Sequence, residues 1–206
     1  MLILLEFRSE GAEVEEMASQ TVQTRRWTVK EYDRMVAAGV FHPEERLELL
    51  QGEIIPMTPQ GSGHAAGVRL LEEALRKVFT AGFDVRTQMP LALEPDSEPE
   101  PDVAVVVGAP RDYRNDHPRR AVLVAEVADG TLPYDRERKA LIYAQAGIQE
   151  YWILNLVDRC LEIHRDPSPV GSAASGYRSI CVAQATETVS PLARPDVSIS
   201  MSDLLP

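Results

Sequence analysis

Residues 121–127 read Ala121-Val122-Leu123-Val124-Ala125-Glu126-Val127, an apolar run interrupted by one carboxylate near its end. A strand of this kind suits the middle of a sheet covered on both faces. Val103–Val107 is a second such run, so the two predict neighbouring interior strands. A helix is expected next, from about Tyr134 to Ala146, with Gly147 as its stop. Tyr151–Leu156 and Cys160–His164 then form a hairpin around Val157-Asp158. Gly176–Ala183 and Val197–Ser200 are the last strand candidates, and only Ser168–Ser175 approaches low complexity.

Upstream, Thr28-Val-Lys-Glu31 is a capping box, which predicts a short helix over Val29–Ala38 ended by Gly39. Arg46–Leu50 alternates, Gln51-Gly52 turns and Glu53–Met57 returns, the pattern of a β-hairpin. A second helix is expected from His64 to Thr80, because Val68, Leu71, Leu75 and Val78 keep 3–4 spacing. Phe83–Leu93 reads as extended, Glu94–Pro101 as a Pro- and acid-rich loop, and Gly108–Arg120 as a polar connection. The order of elements is that of a mixed α/β fold. The 206 residues suit one domain, expected over 25–206, with 1–24 as an N-terminal extension or ordering arm.

Composition excludes several classes. Hydrophobic residues at 44% and charged residues at 26% are ordinary for a soluble globular chain. Two cysteines, Cys160 and Cys181, are too few for a disulfide scaffold or a CxxC zinc site. Both lie in apolar, strand-like surroundings, which predicts buried free thiols and a reducing cytoplasm. No run approaches the roughly 18 apolar residues of a membrane span, and the opening Met1–Leu5 is too short for a signal sequence. The net charge of −11 argues against a protein that coats nucleic acid in general. It does not decide the local case. Acids concentrate in residues 1–16 and from Glu94 to Asp102, while Arg111, Arg114, Arg119 and Arg120 form a basic cluster.

Three residues point to chemistry. Asp102 follows Pro101 and precedes an apolar strand, Glu126 interrupts another, and Lys139 sits on the helix that follows. A carboxylate on a buried strand is costly unless it is neutralised, hydrogen-bonded or bound to a cation. Two of them at the ends of neighbouring strands make an oxygen-rich site that suits Mg²⁺. Phosphodiester hydrolysis uses such a site, because the cation binds a phosphate oxygen and lowers the pKa of the attacking water. A nearby lysine can orient that water and add positive charge at the transition state. The bland reading of Lys139 is a surface ion pair with Asp135 at i,i+4.

Pro101-Asp102, then 23 residues, then Glu126-Val-Ala128 resembles the PD-(D/E)xK nuclease signature, with Ala128 where its lysine would stand. The continuation resembles the Uma-two family of endonucleases. It runs through Glu126-Val-Ala-Asp-Gly-Thr131, Asp135-Arg-Glu-Arg-Lys139-Ala-Leu-Ile-Tyr143 and Gly147-Ile-Gln-Glu-Tyr-Trp152. Arg46-Leu-Glu48-Leu-Leu-Gln-Gly-Glu53 and His64 join the resemblance, which covers about Trp27 to the C-terminus. It implies a restriction-endonuclease-like core, a central mixed sheet flanked by helices with additional β-hairpins, and a lysine moved to the helix position of Lys139. Asp102, Glu126 and the Val127 carbonyl would hold Mg²⁺, with Mn²⁺ as a substitute. It also places Glu48 near the metal, as a water-mediated or second-metal ligand, although strand alternation equally lets Glu48 pair with Arg46. The chain departs from the family pattern at Ala128-Asp129-Gly130 and at Asn155, neither of which removes a proposed ligand. Asp129 either adds an acid or caps the loop.

The reading favoured by these residues is a Mg²⁺-dependent endonuclease acting on DNA, working as a homodimer. The rivals are a binding or regulatory protein on the same fold and a hydrolase of smaller phosphate esters. A duplex-wide groove lined by Arg111, Arg114, Arg119 or Arg120 would favour DNA. His64, at a helix start after Gly-Ser-Gly, is either an ordinary N-terminal residue or a phosphate contact. Tyr143, one turn beyond Lys139, either packs over the site or belongs to the core, and Tyr151 and Trp152 are expected to be strand packing.

Overall fold

The computed structural model describes residues 24–168 and 176–206. The expected extension over 1–24 therefore lies outside the described residues except for Thr24, as does all of the Ser168–Ser175 stretch except Ser168. Helix α1 spans Val29–Ala37, and its capping box is formed: Thr28 Oγ1 accepts from the Glu31 N–H, and the Glu31 carboxylate accepts from the Thr28 N–H. A cap of this kind contributes about 1 kcal/mol. Strands β1 (Leu47–Leu50) and β2 (Glu53–Pro56) make the first hairpin. Its turn residues, Gln51 and Gly52, both have positive φ, the conformation that two-residue hairpins need. Gly52 is needed twice over, since a Cβ there would meet Arg26 Cβ at 2.6 Å.

Helix α2 (Ser62–Val78) precedes β3 (Phe83–Thr87), β4 (Val103–Val107) and β5 (Leu123–Ala128). The next helical path, α3, joins Leu132–Tyr134, a wide π turn over Asp135–Lys139 and Ala140–Gln145. Strands β6 (Glu150–Asn155), β7 (Cys160–Pro167) and β8 (Tyr177–Gln184) follow, then the short pair β9 (Thr188–Val189) and β10 (Ile199–Ser200). The main sheet runs β3-β4-β5-β6-β7-β8, with every neighbouring pair antiparallel except β5-β6. A parallel pair needs a crossover connection, and α3 supplies it.

The two faces of the sheet follow the period of two along each strand. Val103, Val105, Leu123, Ala125, Val127, Trp152 and Leu154 pack with Val68, Leu71, Leu75 and Val78 of α2. Ala104, Val106, Val124, Ala128, Tyr151 and Ile153 pack with Ile142 and Tyr143 of α3. Each fully buried aliphatic side chain contributes about 1.5–3 kcal/mol, so both covered faces are strongly specified. Glu126 has the parity of Val124 and Ala128. It therefore faces α3. Helix α2 approaches the other face closely at Gly67, where a Cβ would lie 3.0 Å from Val127 Cγ1.

Three expectations need correction. Extended backbone after Phe83 pairs in the sheet only as far as Thr87, because Gln88 turns away with positive φ and bonds back to the Pro101 and Asp102 carbonyls. The helix expected from Tyr134 opens into a π turn, where the Ala140 N–H reaches the Asp135 carbonyl. Cys160 is buried but Cys181 is exposed, because β8 is an edge strand with a single neighbour. Among the described residues no helix is long and apolar enough to cross a membrane.

Candidate active site

The first residue of β4, Val103, pairs with Ala125, so Asp102 and Glu126 fall opposite one another just before β4 begins. Backbone and side chain then lock together. The Asp102 N–H donates to Glu126 Oε2 at 3.2 Å, and the Val127 N–H donates to Asp102 Oδ2 at 2.9 Å. Asp102 Oδ1 lies 3.1 Å from His64 Nε2 and accepts from Gln88 Nε2 at 3.2 Å. The remaining Glu126 oxygen, Oε1, accepts from Lys139 Nζ at 3.0 Å and from the Tyr143 hydroxyl at 2.7 Å. All four oxygens of the two carboxylates are thus held in fixed directions.

Lys139 also lies 3.6 Å from Glu48 Oε2, so β1 delivers a third carboxylate. Glu48 is buried and does not pair with Arg46, which bridges Glu100 instead. Asp135 brings a fourth. It is 3% exposed, and its Oδ2 accepts from Thr131 Oγ1 at 2.6 Å. The bland alternative for Lys139, a surface pair with Asp135, does not form, because α3 turns both residues inward and Lys139 bonds Glu126 and Glu48.

Four buried carboxylates share one ammonium and one imidazole. Burial alone would push Asp102 up, but the His64 hydrogen bond and charge, the Val127 N–H and Lys139 together hold it below the usual range. The hydrogen bond to Asp102 raises His64 against the opposing effect of burial. Burial pushes the Glu126 carboxyl above the usual range, with Lys139 opposing and Asp102 and Asp135 reinforcing the rise. Burial likewise takes Asp135 to about 6. Burial works against the Lys139 charge, yet Glu126, Glu48 and Asp135 outweigh it and keep the ammonium protonated. The cluster is short of positive charge, and a buried surplus of anions is costly until a cation relieves it.

These groups border a recess of about 510 Å³, walled by the 55–61 segment on one side and by Asp129–Asp135 on the other. Glu48, His64, Asp102, Glu126, Val127, Asp129 and Lys139 all line it. Tyr143 lies beneath, fully buried, serving both the core and Glu126. Tyr151 and Trp152 are fully buried strand packing. Arg111, Arg114, Arg119 and Arg120 do not reach the recess. They belong to the connection from the far end of β4 to the start of β5, roughly 16 Å of strand away from Asp102. The antiparallel β4–β5 pairing puts them there. Sequence reasoning also missed Tyr134 and Asp135 as lining residues, although the run Thr131-Leu-Pro-Tyr-Asp135 directly after a carboxylate strand was a usable signal.

Comparison with known proteins gives a family and a fold. A family profile, Uma2, described as "Putative restriction endonuclease", matches residues 29–202. Among solved structures, the crystal structure of "a putative nuclease belonging to DUF820" from Anabaena variabilis ATCC 29413 is similar, with a TM-score of 0.63. The two share 17% identity, and the similarity covers 86% of this chain and 97% of that one. At that identity the likeness speaks for a common fold, the mixed six-stranded sheet with flanking helices and added hairpins. No curated protein matches the chain significantly.

Proposed function

The chain belongs to the Uma2 family of restriction-endonuclease-like proteins, and on that premise we propose that it is a Mg²⁺-dependent endonuclease hydrolysing phosphodiester bonds in DNA. One observation carries the reading. Asp102 and Glu126 are interlocked at the start of β4 with Lys139 bonded to Glu126, all at one recess. The donor set fits Mg²⁺, which takes oxygen ligands and keeps several waters. Among the described residues no three His, Cys, Asp or Glu side chains form a complete cation site by themselves. Two carboxylates, the Val127 carbonyl and water make up the proposed set. N–H and C=O of one strand residue point to the same side, so this carbonyl faces Asp102 as the Val127 N–H does.

When bound, Mg²⁺ supplies a Lewis acid for a phosphate oxygen and lowers the pKa of a bound water; Mn²⁺ can replace it. The protein groups do the rest. His64 and the Val127 N–H hold Asp102, and Tyr143 holds Glu126, so the ligand oxygens need no reorganisation. Lys139 would hold the attacking water and set positive charge beside the developing oxyanion. Glu48, 3.6 Å from the Lys139 ammonium, would help to keep it in line. The description of the family as restriction endonucleases supports DNA as substrate. Cutting both strands calls for two such sites, so a homodimer in the cytoplasm is the expected form.

A second reading, hydrolysis of a smaller phosphate ester, draws on the recess itself. Its 510 Å³ falls within the range of small-molecule pockets, and its lining contains no arginine. The test sets both against inactivity. The protein is incubated with plasmid, single-stranded and branched DNA and with bis(p-nitrophenyl) phosphate, in Mg²⁺, Mn²⁺ or EDTA. Metal-dependent DNA cleavage absent from Asp102→Asn supports the nuclease. Hydrolysis of the small ester alone supports the second reading, and no hydrolysis at all rejects both.

A further inference from the structure

Tyr134 stands at the last position before the π turn of α3 and lines the recess between Thr131 and Asp135. Its ring is fixed. Arg138 Cζ lies 5.9 Å from the ring centroid, and Arg138 is anchored in turn by the Leu50 carbonyl at 3.0 Å and by Glu53. The ring also packs against the apolar cluster between the sheet and α3. Its hydroxyl is a different matter: it is buried and has no hydrogen-bond partner among the described residues. Five other buried side-chain atoms share that condition, on Arg86, Thr87, Glu98, Arg138 and His164. None of those residues borders the recess.

A buried hydroxyl without a partner costs about 1–3 kcal/mol, and such groups are rare enough to call for an explanation. A bound ligand that supplies the missing acceptor is the simplest one here. Burial and the neighbouring Glu48 charge raise the Tyr134 phenol above its ordinary value, so it stays protonated and acts as a donor. Its natural partner is an anionic oxygen. The carboxylates of the cluster already have other donors, whereas a phosphate in the recess brings unpaired oxygens. We propose that the Tyr134 hydroxyl, covered in the ligand-free chain, turns toward the recess when phosphate binds and becomes a substrate-contacting group that donates a hydrogen bond to a non-bridging phosphate oxygen. This rests on the reading of the recess as a phosphodiester-hydrolysing site, and it adds a phosphate-recognising group beside Lys139.

The test uses Tyr134→Phe, which removes one oxygen and keeps the ring. Binding of inorganic phosphate in saturating Mg²⁺ is measured for both proteins, together with thermal melting without phosphate and single-turnover cleavage of plasmid DNA. Hydrogen bonds to charged groups predict phosphate binding weakened by about ten- to a hundredfold. Melting should be unchanged or slightly raised, since the variant loses an unsatisfied group. Equal phosphate binding by the two proteins overturns the proposal, as does failure of the wild type to bind phosphate at all. A variant that melts several degrees lower without phosphate also overturns it, marking the hydroxyl as structural. Tyr134-dependent phosphate binding by a wild type that cleaves no DNA leaves this proposal standing and rejects the nuclease reading instead.

Discussion

Lys139 Nζ lies 3.0 Å from Glu126 Oε1, a bond that ties the π turn of α3 to the interior strand β5. With Glu48 also 3.6 Å away, this ammonium is the counter-ion of a buried acidic cluster. The pair is also the link between fold and chemistry. A lysine that neutralises the site without cation is the lysine proposed to act on water once a cation takes up part of that duty.

Cation binding should stabilise the fold. Asp102, Glu126, Glu48 and Asp135 are buried together, and a cation that binds only the folded chain adds stability as its concentration exceeds Kd, about 2.7 kcal/mol at a hundredfold excess. Melting should rise in Mg²⁺ or Mn²⁺ relative to EDTA, and Asp102→Asn should remove most of the rise. Identical melting curves with and without the cation would count against a formed site.

Tyr143→Phe isolates one support of Glu126. The hydroxyl donates at 2.7 Å to a carboxylate that is 3% exposed. Losing a hydrogen bond to a buried charged group costs about 1.5–3 kcal/mol. Chemical denaturation should show a loss of that size in EDTA and a smaller loss in saturating Mg²⁺. A variant as stable as the wild type in both conditions contradicts the bond's role.

Glu98, which does not line the recess, gives a pH dependence of its own. Burial, with Asp33 and Glu100 adding repulsion, pushes its carboxyl up to about 7 from an ordinary 4.5. The folded chain then holds a proton that the unfolded chain releases. Stability from this residue is therefore full below about pH 4.5, falls as pH rises, and levels off above about pH 7. The whole change is at most about 3 kcal/mol. Glu98→Gln should stabilise the protein at pH 8 and leave it unchanged at pH 4. Equal effects at the two pH values would refute the assignment.

The apolar runs around Glu126 and after Asp102 were legible because a carboxylate inside a buried strand breaks a strong pattern. The period of two then fixed which side chains share a face. Strand direction was not legible. The basic cluster of Arg111, Arg114, Arg119 and Arg120 could be assigned to the site until β4 and β5 proved antiparallel, which sends their connection to the opposite end. The role of Asp135 was hidden by a regular helical spacing to Lys139 that suggests a surface pair. Only the π turn and the covering β1–β2 hairpin make both residues inward-facing. Cys181 shows the same limit, since local apolar context does not distinguish an interior strand from an edge.

The most direct measurement is single-turnover DNA cleavage by wild type and Lys139→Ala, with Mg²⁺ binding followed in parallel. If Lys139 holds the attacking water and stabilises transition-state charge, the variant should cleave more slowly by about two to three powers of ten. Its Mg²⁺ affinity should be kept or increased, because removing the ammonium leaves Glu126 and Glu48 without their counter-ion. Wild-type cleavage rates in the variant, or Mg²⁺ binding lost together with the lysine, would contradict the account.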